Sequence, residues 1–475
     1  MRWHLFQWGL KRGALVAIVV TIARILGLFE FWELKAYDHI LTARMHEHER
    51  ASDRIIVVEA TRPDVEAQPA DAPKTLAADV SDVVLTNAIN QLRDYGARVI
   101  GVDWYLPPAL KTWTDQNLEA FQGSTAGLSG VNSPTTPNPD SPSTAIYGLC
   151  MQPYLSNGEL QAPIPPPPAE VIPSERVGFS NFAVDADGVM RRHLVGNALL
   201  EEIRLTSSCQ AEVAFSTLIA LQYLNLTAPT AKSGPQGNGA SELTSSSDRS
   251  STIALTDLPT IFAQTPIKLI DAYKYGGYSD LYPLGSELML NYREPVGNDL
   301  RTAFTHVSIM DLQPGVAQPI SFAEQFKDKI VLIGLTAGTY VGDEFTTPYG
   351  DVVGVTLQAH MVDHLISLAL GERQQIWVWP YWVEWLWIMA WAIAGALLGT
   401  VGRDRPQWLA ISLFGGLLFL YLICRLTMGR AAGWIPMLPP MAAFILSHGI
   451  VVYTDHRFRT LDSKRTVSNP WGTEL

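Results

Sequence analysis

The chain has 475 residues, 47% of them hydrophobic and only 17% charged, with a formal net charge of −12. This balance suits a protein that is partly membrane and partly soluble, with two domains or one large domain carrying insertions, and it argues against general nucleic-acid binding. The three cysteines form no CxxC or Cys/His pattern that would hold zinc, and no cofactor motif is present.

Residues 1–12 read as a cytoplasmic N-terminus. Lys11 and Arg12 precede the first apolar segment, 13–29, which carries Arg24. A cleaved signal peptide is the alternative reading. No small-x-small cleavage site stands out and Arg24 interrupts the apolar run, which favours an uncleaved anchor. Three more apolar segments occupy 382–401, 407–424 and 435–453, each near the roughly 20 residues that a spanning helix needs.

Basic residues orient these four expected spans. Arg2, Lys11 and Arg12, then Arg403 and Arg405, then Arg457, Arg459, Lys464 and Arg465 outnumber Arg425 and Arg430 on the other side. Both ends are therefore expected in the cytoplasm, with 30–375 outside it and 454–475 as a short cytoplasmic tail. The outer region holds 22 basic and 41 acidic residues, a net of −19 that disfavours a polyanionic ligand held by charge alone. Trp377, Trp379, Tyr381, Trp382, Trp385 and Trp387 suit the headgroup level, and Gly395 and Gly399 form a GxxxG pair. Arg24 and Glu384 are the charges within the spans. Either they pair, or each snorkels separately to the interface.

Within the outer region, 31–40 has helical spacing and continues out of the membrane. Residues 54–60 (RIIVVEA) and 98–105 (RVIGVDWY) read as buried strands flanking an amphipathic helix over 80–95 that ends at Gly96. Strand, helix and strand suggest a right-handed βαβ unit. Residues 111–143 and 228–251 are polar, Ser-rich insertions. Further strands are expected at 146–151 and 287–293, a helix at 209–226, a short ordered piece at 304–311 and a helical turn at 322–326. Finally, 329–370 reads as a buried strand, a Gly-rich loop and a helix beginning after Gly354, a few residues before the second span.

These blocks, RIIVVEA, DYGARVIGVDWY, GFSNFAVDADGVMRRHL, LMLNYR and FKDKIVLIGLTAGTYVGDEFTTPYGDVVGVTLQAHMVDHLI, resemble in order and spacing the type-two CHASE domain, a sensory extracellular domain associated with cyclases and histidine kinases. The resemblance covers about 34–370. It implies an α/β extracytoplasmic sensor with a largely parallel mixed sheet, joined to an all-α four-helix transmembrane part in the bacterial cytoplasmic membrane. It further implies a non-enzymatic receptor for a small ligand or an envelope protein. The tail is too short for a kinase or cyclase, so such an output protein is expected in trans, and homo-oligomers are compatible with this layout. A structural subunit of a membrane complex is the alternative.

Glu59, Asp103 and Asp343 sit at or beyond strand ends, where a parallel sheet lines its ligand crevice, although such carboxylates also serve as caps and turn formers. Asp185, Asp187 and Gly188 make a DxDG sequence. A calcium loop needs a downstream bidentate Glu that is missing, which leaves a hairpin turn, with Arg191 and Arg192 pointing to opposite faces of its second strand. His360 and His364 share a helix face, but HMVDH is not HExxH, so no metal is expected and a polar face is the simpler reading. Cys150 and Cys209, both outside the cytoplasm, either pair or stay apart.

Overall fold

The computed structural model describes residues 2–44, 50–69, 71–77, 79–122, 144–156, 159–197, 207–225, 269–270, 275–279, 285–293, 296–336, 343–402 and 405–467. In chain order the strands are β1 (Ile55–Ala60), β2 (Val99–Asp103), β3 (Ala145–Cys150), β4 (Tyr154–Ser156), β5 (Glu159–Gln161), β6 (Val177–Phe179), β7 (Arg192–Asn197), β8 (Gly285–Met289), β9 (Thr305–Ser308), β10 (Ile330–Leu335), β11 (Glu344–Thr347), β12 (Gly350–Val353), β13 (Trp377–Val378) and β14 (Gly433–Trp434). The helices are α1 (Arg2–Ile25), α2 (Glu30–Thr42), α3 (Arg62–Glu66), α4 (Asp82–Asp94), α5 (Asp115–Gln122), α6 (Phe215–Tyr223), α7 (Ile320–Glu324), α8 (Gly354–Ala369), α9 (Tyr381–Gly402), α10 (Pro406–Ala431) and α11 (Leu438–Val467). Two compact units result. A helical unit comprises Met1–His46, Ala272–Tyr282 and Ile376–Leu475, and a sheet unit comprises Glu47–Asp271 and Pro283–Gln375.

The sheet unit is built on six strands in the order β6-β3-β2-β10-β1-β9. Every strand pair in it is parallel, which bears out the expected largely parallel sheet. Among the described residues, the antiparallel strand pairs are the separate ribbons β4-β5, β7-β8 and β11-β12, joined by a few isolated antiparallel bridges such as Met151 with Ile164. Alternation along the strands sends Ile56, Val58, Ile100, Val102, Val331 and Ile333 into one core, where Val84, Leu85, Ala88, Ile89 and Leu92 of α4 join them. The intervening residues Ile55, Val57, Val99, Ile330 and Leu332 meet α8 (Val355, Ala359, Val362, Leu365, Ile366) and α6 (Phe215, Leu218, Ile219) on the other face. Burial on both faces explains the continuous apolar runs.

Three local expectations change. The piece at 304–311 contains β9, an edge strand parallel to β1. The helix expected from Cys209 starts at Phe215, because Cys209 is tied to Cys150 and Ala214 hydrogen-bonds the Val195 carbonyl. The start of the 111–143 insertion is ordered: α5 forms, and Trp113 and Phe121 join the core with rings 5.1 Å apart. Residues 123–143 of that insertion, and all of 228–251, lie outside the described residues.

In the helical unit, α9 and α10 are long and apolar enough to cross a membrane. The stretch Gly9–Ile25 reaches that mark only together with α2, from which it is bent by 89°, and the apolar part of α11, Leu438–Tyr453, is shorter. Residues 31–40 are helical as expected, in a helix set off from α1 by this bend. The bend has a local cause. Gly27, at φ +77°, donates to the Arg24 carbonyl and Leu28 donates to the Ala23 carbonyl, a Schellman stop that only a left-handed residue closes cheaply. The Gly395/Gly399 pair packs on α11: a Cβ at Gly399 would stand 2.9 Å from the His448 carbonyl.

Candidate functional site

The register of the sheet places Ser308, Glu59, Gly334 and Asp103 side by side across β9, β1, β10 and β2. They continue the face that is apolar further down, where Val57, Leu332 and Gly101 occupy the preceding row toward α8. At the C-terminal edge this face turns polar. Gly334 is required there, because a Cβ would collide with Val355 in the first turn of α8. The helix thus brings its N-terminal amides close to the strand ends.

Asp343 meets that N-terminus. Its backbone carbonyl accepts the Gly354 N–H at 2.9 Å, and its carboxyl lies against the same residue. Val353, the residue before the helix, offers no side-chain cap, so Asp343 supplies the negative partner that a helix start favours. Burial raises the Asp103 carboxyl well above the ordinary carboxylate range, and the Asp343 charge adds to this. Burial also lifts Asp343 to about 6, against the Gly354 amide that pulls it down. Asp343 as a residue is exposed while its carboxyl is turned in, so water screens part of this effect. Tyr105, two residues after Asp103, is pushed up to about 12, chiefly by burial; its hydroxyl lies 2.8 Å from the Ser180 hydroxyl, which opposes the shift.

Glu59 is in a different state. Arg301 donates to both carboxylate oxygens, at 2.9 and 2.8 Å, and His306 Nδ1 lies 3.3 Å away. Burial alone would raise the Glu59 carboxyl; the His306 hydrogen bond and the Arg301 charge outweigh it and hold the carboxyl below its ordinary value. Glu59 and Asp103 lie on strands two apart, about 10 Å from each other. The structure therefore groups Asp103 with Asp343 and assigns Glu59 to an internal ion pair.

The DxDG segment forms a turn. The Asp185 amide donates to the Val189 carbonyl, Gly188 donates back to Asp185, and Val184 bridges Met190. Arg191 and Arg192 do not diverge to opposite faces. Both reach Asp185, at 2.7 and 2.8 Å; Arg191 also grips Asp187, and Arg192 pairs with Glu287 on β8. These carboxylates bind two guanidinium groups inside the fold.

The α8 histidines are buried, not a polar face. His360 Nε2 lies 3.0 Å from the Leu300 carbonyl, and His364 stands 6.5 Å, ring to ring, from His193. Burial lowers His193 to about 3 and His360 to about 4. Asp363 between them is held by Arg293 at 2.9 Å, with Arg373 at 3.8 Å. No group of three metal-ligating side chains occurs among the described residues. Cys150 and Cys209 are joined, with Cα atoms 5.6 Å apart.

In the helical unit, Arg24 stands 3.8 Å from Glu384 and donates to the backbone carbonyls of Gly276 and Tyr278. Residues 275–279 thus form a strap inside the helical unit although both neighbouring stretches of chain belong to the sheet unit. Gly276 and Gly277 lie flat on Trp434, where a Cβ would clash. Glu33 accepts the Met437 N–H at 2.9 Å and the Leu438 N–H at 2.7 Å, capping α11. Neither the strap nor Glu33 was among the sequence candidates. Both partnerships span more than two hundred residues, and the only local signal was a Glu within the amphipathic pattern of α2.

A family model, the CHASE2 domain, matches residues 15–397. The match covers more than half of the chain, which therefore belongs to the CHASE2 family, a family of extracellular-type sensory domains. No curated protein and no solved structure matches the chain.

Proposed function

We propose that this CHASE2 protein is a membrane-bound receptor whose sheet unit, outside the cytoplasm, takes a small ligand or an envelope partner at the C-terminal edge of the sheet. The observation that carries this reading is a buried Asp103 beside Asp343, which meets the N-terminus of α8, with no cation against either carboxyl among the described residues. The same helix ends at Gly371, whose φ of +68° and Schellman bonds stop it, and the helical unit begins at Ile376. Occupancy at one end of α8 favours one arrangement of the chain at its other end, and differential affinity for two such states is what a sensor needs. A cytoplasmic kinase, cyclase or other output protein reads the change.

Co-purification of the full chain from its native membranes tests this, with and without envelope extract. A cytoplasmic signalling protein whose recovery responds to the extract supports a receptor, and Asp103→Asn or Asp343→Asn should abolish the response. Flexible residues inserted between Leu370 and Trp377 should uncouple it as well. Recovery of a stoichiometric partner that ignores the extract and all three variants would favour a structural subunit instead.

A further inference from the structure

The bend after α1 leaves a surface that neither the spans nor the sensor reading explains. Helix α2 is two-sided. Glu33, Leu34, Ala36, Tyr37, Ile40 and Leu41 face inward, and the Tyr37 ring packs on Trp434 with centroids 4.5 Å apart. On the other side Phe31 and Trp32 remain 53% and 63% exposed, and the Lys35 ammonium lies 5.9 Å above the Phe31 ring.

We infer that α2 lies in the plane of the membrane interface, with Phe31 and Trp32 docked into a lipid surface. The inference rests on the reading of α1 as a membrane helix. Three independent features support it. First, the exposed apolar surface is continuous: Leu15, Ile18, Val19, Ile22 and Ile25 along α1 pass into Leu26 and Leu28 at the bend, and then into Phe31 and Trp32. A patch that prolongs the flank of a spanning helix meets the same lipid. Second, the 89° bend turns a helix running along the membrane normal into one running along its surface. Third, the level is right. Arg24, at the end of α1, lies 3.8 Å from Glu384, and Trp382 and Trp385 beside Glu384 are exposed. The end of α1 and the start of α9 are thus tied together, and exposed aromatic rings adjoin that tie on both α2 and α9, as an interfacial belt requires. Lys35 adds a cation within reach of lipid phosphates, in the position where a basic side chain snorkels.

Spin-label accessibility in the full chain decides the matter. In a Cys424→Ala background, which removes the free thiol, single labels are placed at Trp32→Cys, at Ile22→Cys and at Lys327→Cys. The protein is reconstituted in vesicles of phosphatidylcholine and phosphatidylglycerol. The label at 32 should show oxygen access several-fold above that at 327, and access to a water-soluble relaxant between those at 22 and 327. Phe31→Cys provides a second reporter should the Trp32 variant fold poorly. A label at 32 as open to water as that at 327 overturns the proposal. Shielding from both reagents overturns it too, as does dipolar broadening from a neighbouring label, which would mean that protein covers the face. If the label at 22 is also water-exposed, it is the membrane reading of α1 that fails.

Discussion

At the turn before β7, Asp185, Asp187 and Glu287 share the guanidinium groups of Arg191 and Arg192. At the C-terminal edge of the sheet, Asp103 faces Asp343, Asp343 alone meets a helix N-terminus, and no cation joins them among the described residues. Each group holds two aspartates near strand ends, the first with Glu287 added, in a unit of strong negative charge. The first is closed: each carboxylate has a partner of opposite charge, and Arg191 is wholly buried. The second is open: burial raises both carboxyls, and no cation faces them among the described residues. A closed cluster holds the fold together, whereas an open one is where an outside proton or partner finds unspent charge.

The largest test of this contrast removes a partner from the closed cluster. Arg191→Met keeps the bulk but leaves two buried carboxylates with one guanidinium, and should cost about 3–5 kcal/mol of stability. Chemical denaturation of the full chain in detergent measures it. A loss below about 1 kcal/mol would mean that the cluster is not closed by Arg191. The open cluster should respond in the reverse sense. Asp103→Asn removes one of two like charges that burial already disfavours, so near pH 8 the variant should be at least as stable as the parent.

Acidification separates the two situations further. Asp343 has an ordinary value of 3.8 and a folded value of about 6. Its contribution to stability is complete below about pH 4 and is lost as the pH rises through about 6. His193 and His360 have an ordinary value of 6.5 and folded values of about 3 and 4. Their contribution is complete above about pH 6.5 and is lost as the pH falls. Between pH 7 and pH 5 the carboxyls therefore stabilise the fold while the histidines weaken it. The Asp103→Asn/Asp343→Asn double variant should lose more stability over that interval than the parent, by up to about 1 kcal/mol given the exposure of Asp343. Identical pH slopes for the two proteins would remove the open cluster from the argument.

How much of this was legible beforehand follows from which interactions are local. Strands β1, β2 and β10 declare themselves as apolar runs, and α4 and α8 by helical spacing with a glycine stop, because period and cap are encoded within a dozen residues. Asp103 and Asp343 could be nominated from strand ends. What separates them from Glu59 is Arg301, 242 residues away, and no local pattern reports it. The Arg191 clamp was half visible: DxDG gave the turn, while the convergence of two adjacent arginines on one aspartate needed three dimensions. The bend at Gly27 was present in the sequence, as a glycine three residues after Arg24 in an apolar run, and was masked by the hydropathy that carries through Leu28 and Phe29. Strap 275–279 was illegible, since it accepts from Arg24 through its own backbone carbonyls, which carry no sequence signature.

The smallest test concerns Glu59, which lies between the two extremes. Its partner Arg301 is half exposed, so water already screens the pair. Arg301→Ala should cost only about 0.2–1 kcal/mol, far less than Arg191→Met, although each variant takes one guanidinium from a carboxylate. The useful readout is the carboxyl itself. Without the Arg301 charge, burial gains on the remaining His306 bond, and the Glu59 value should rise. A carboxyl-labelled NMR titration of the full chain would follow it. A marked rise converts Glu59 from the closed class toward the open one, next to Gly334 and in register with Asp103. An unmoved value would show that His306 alone closes the pair and that the open cluster stops at Asp103 and Asp343.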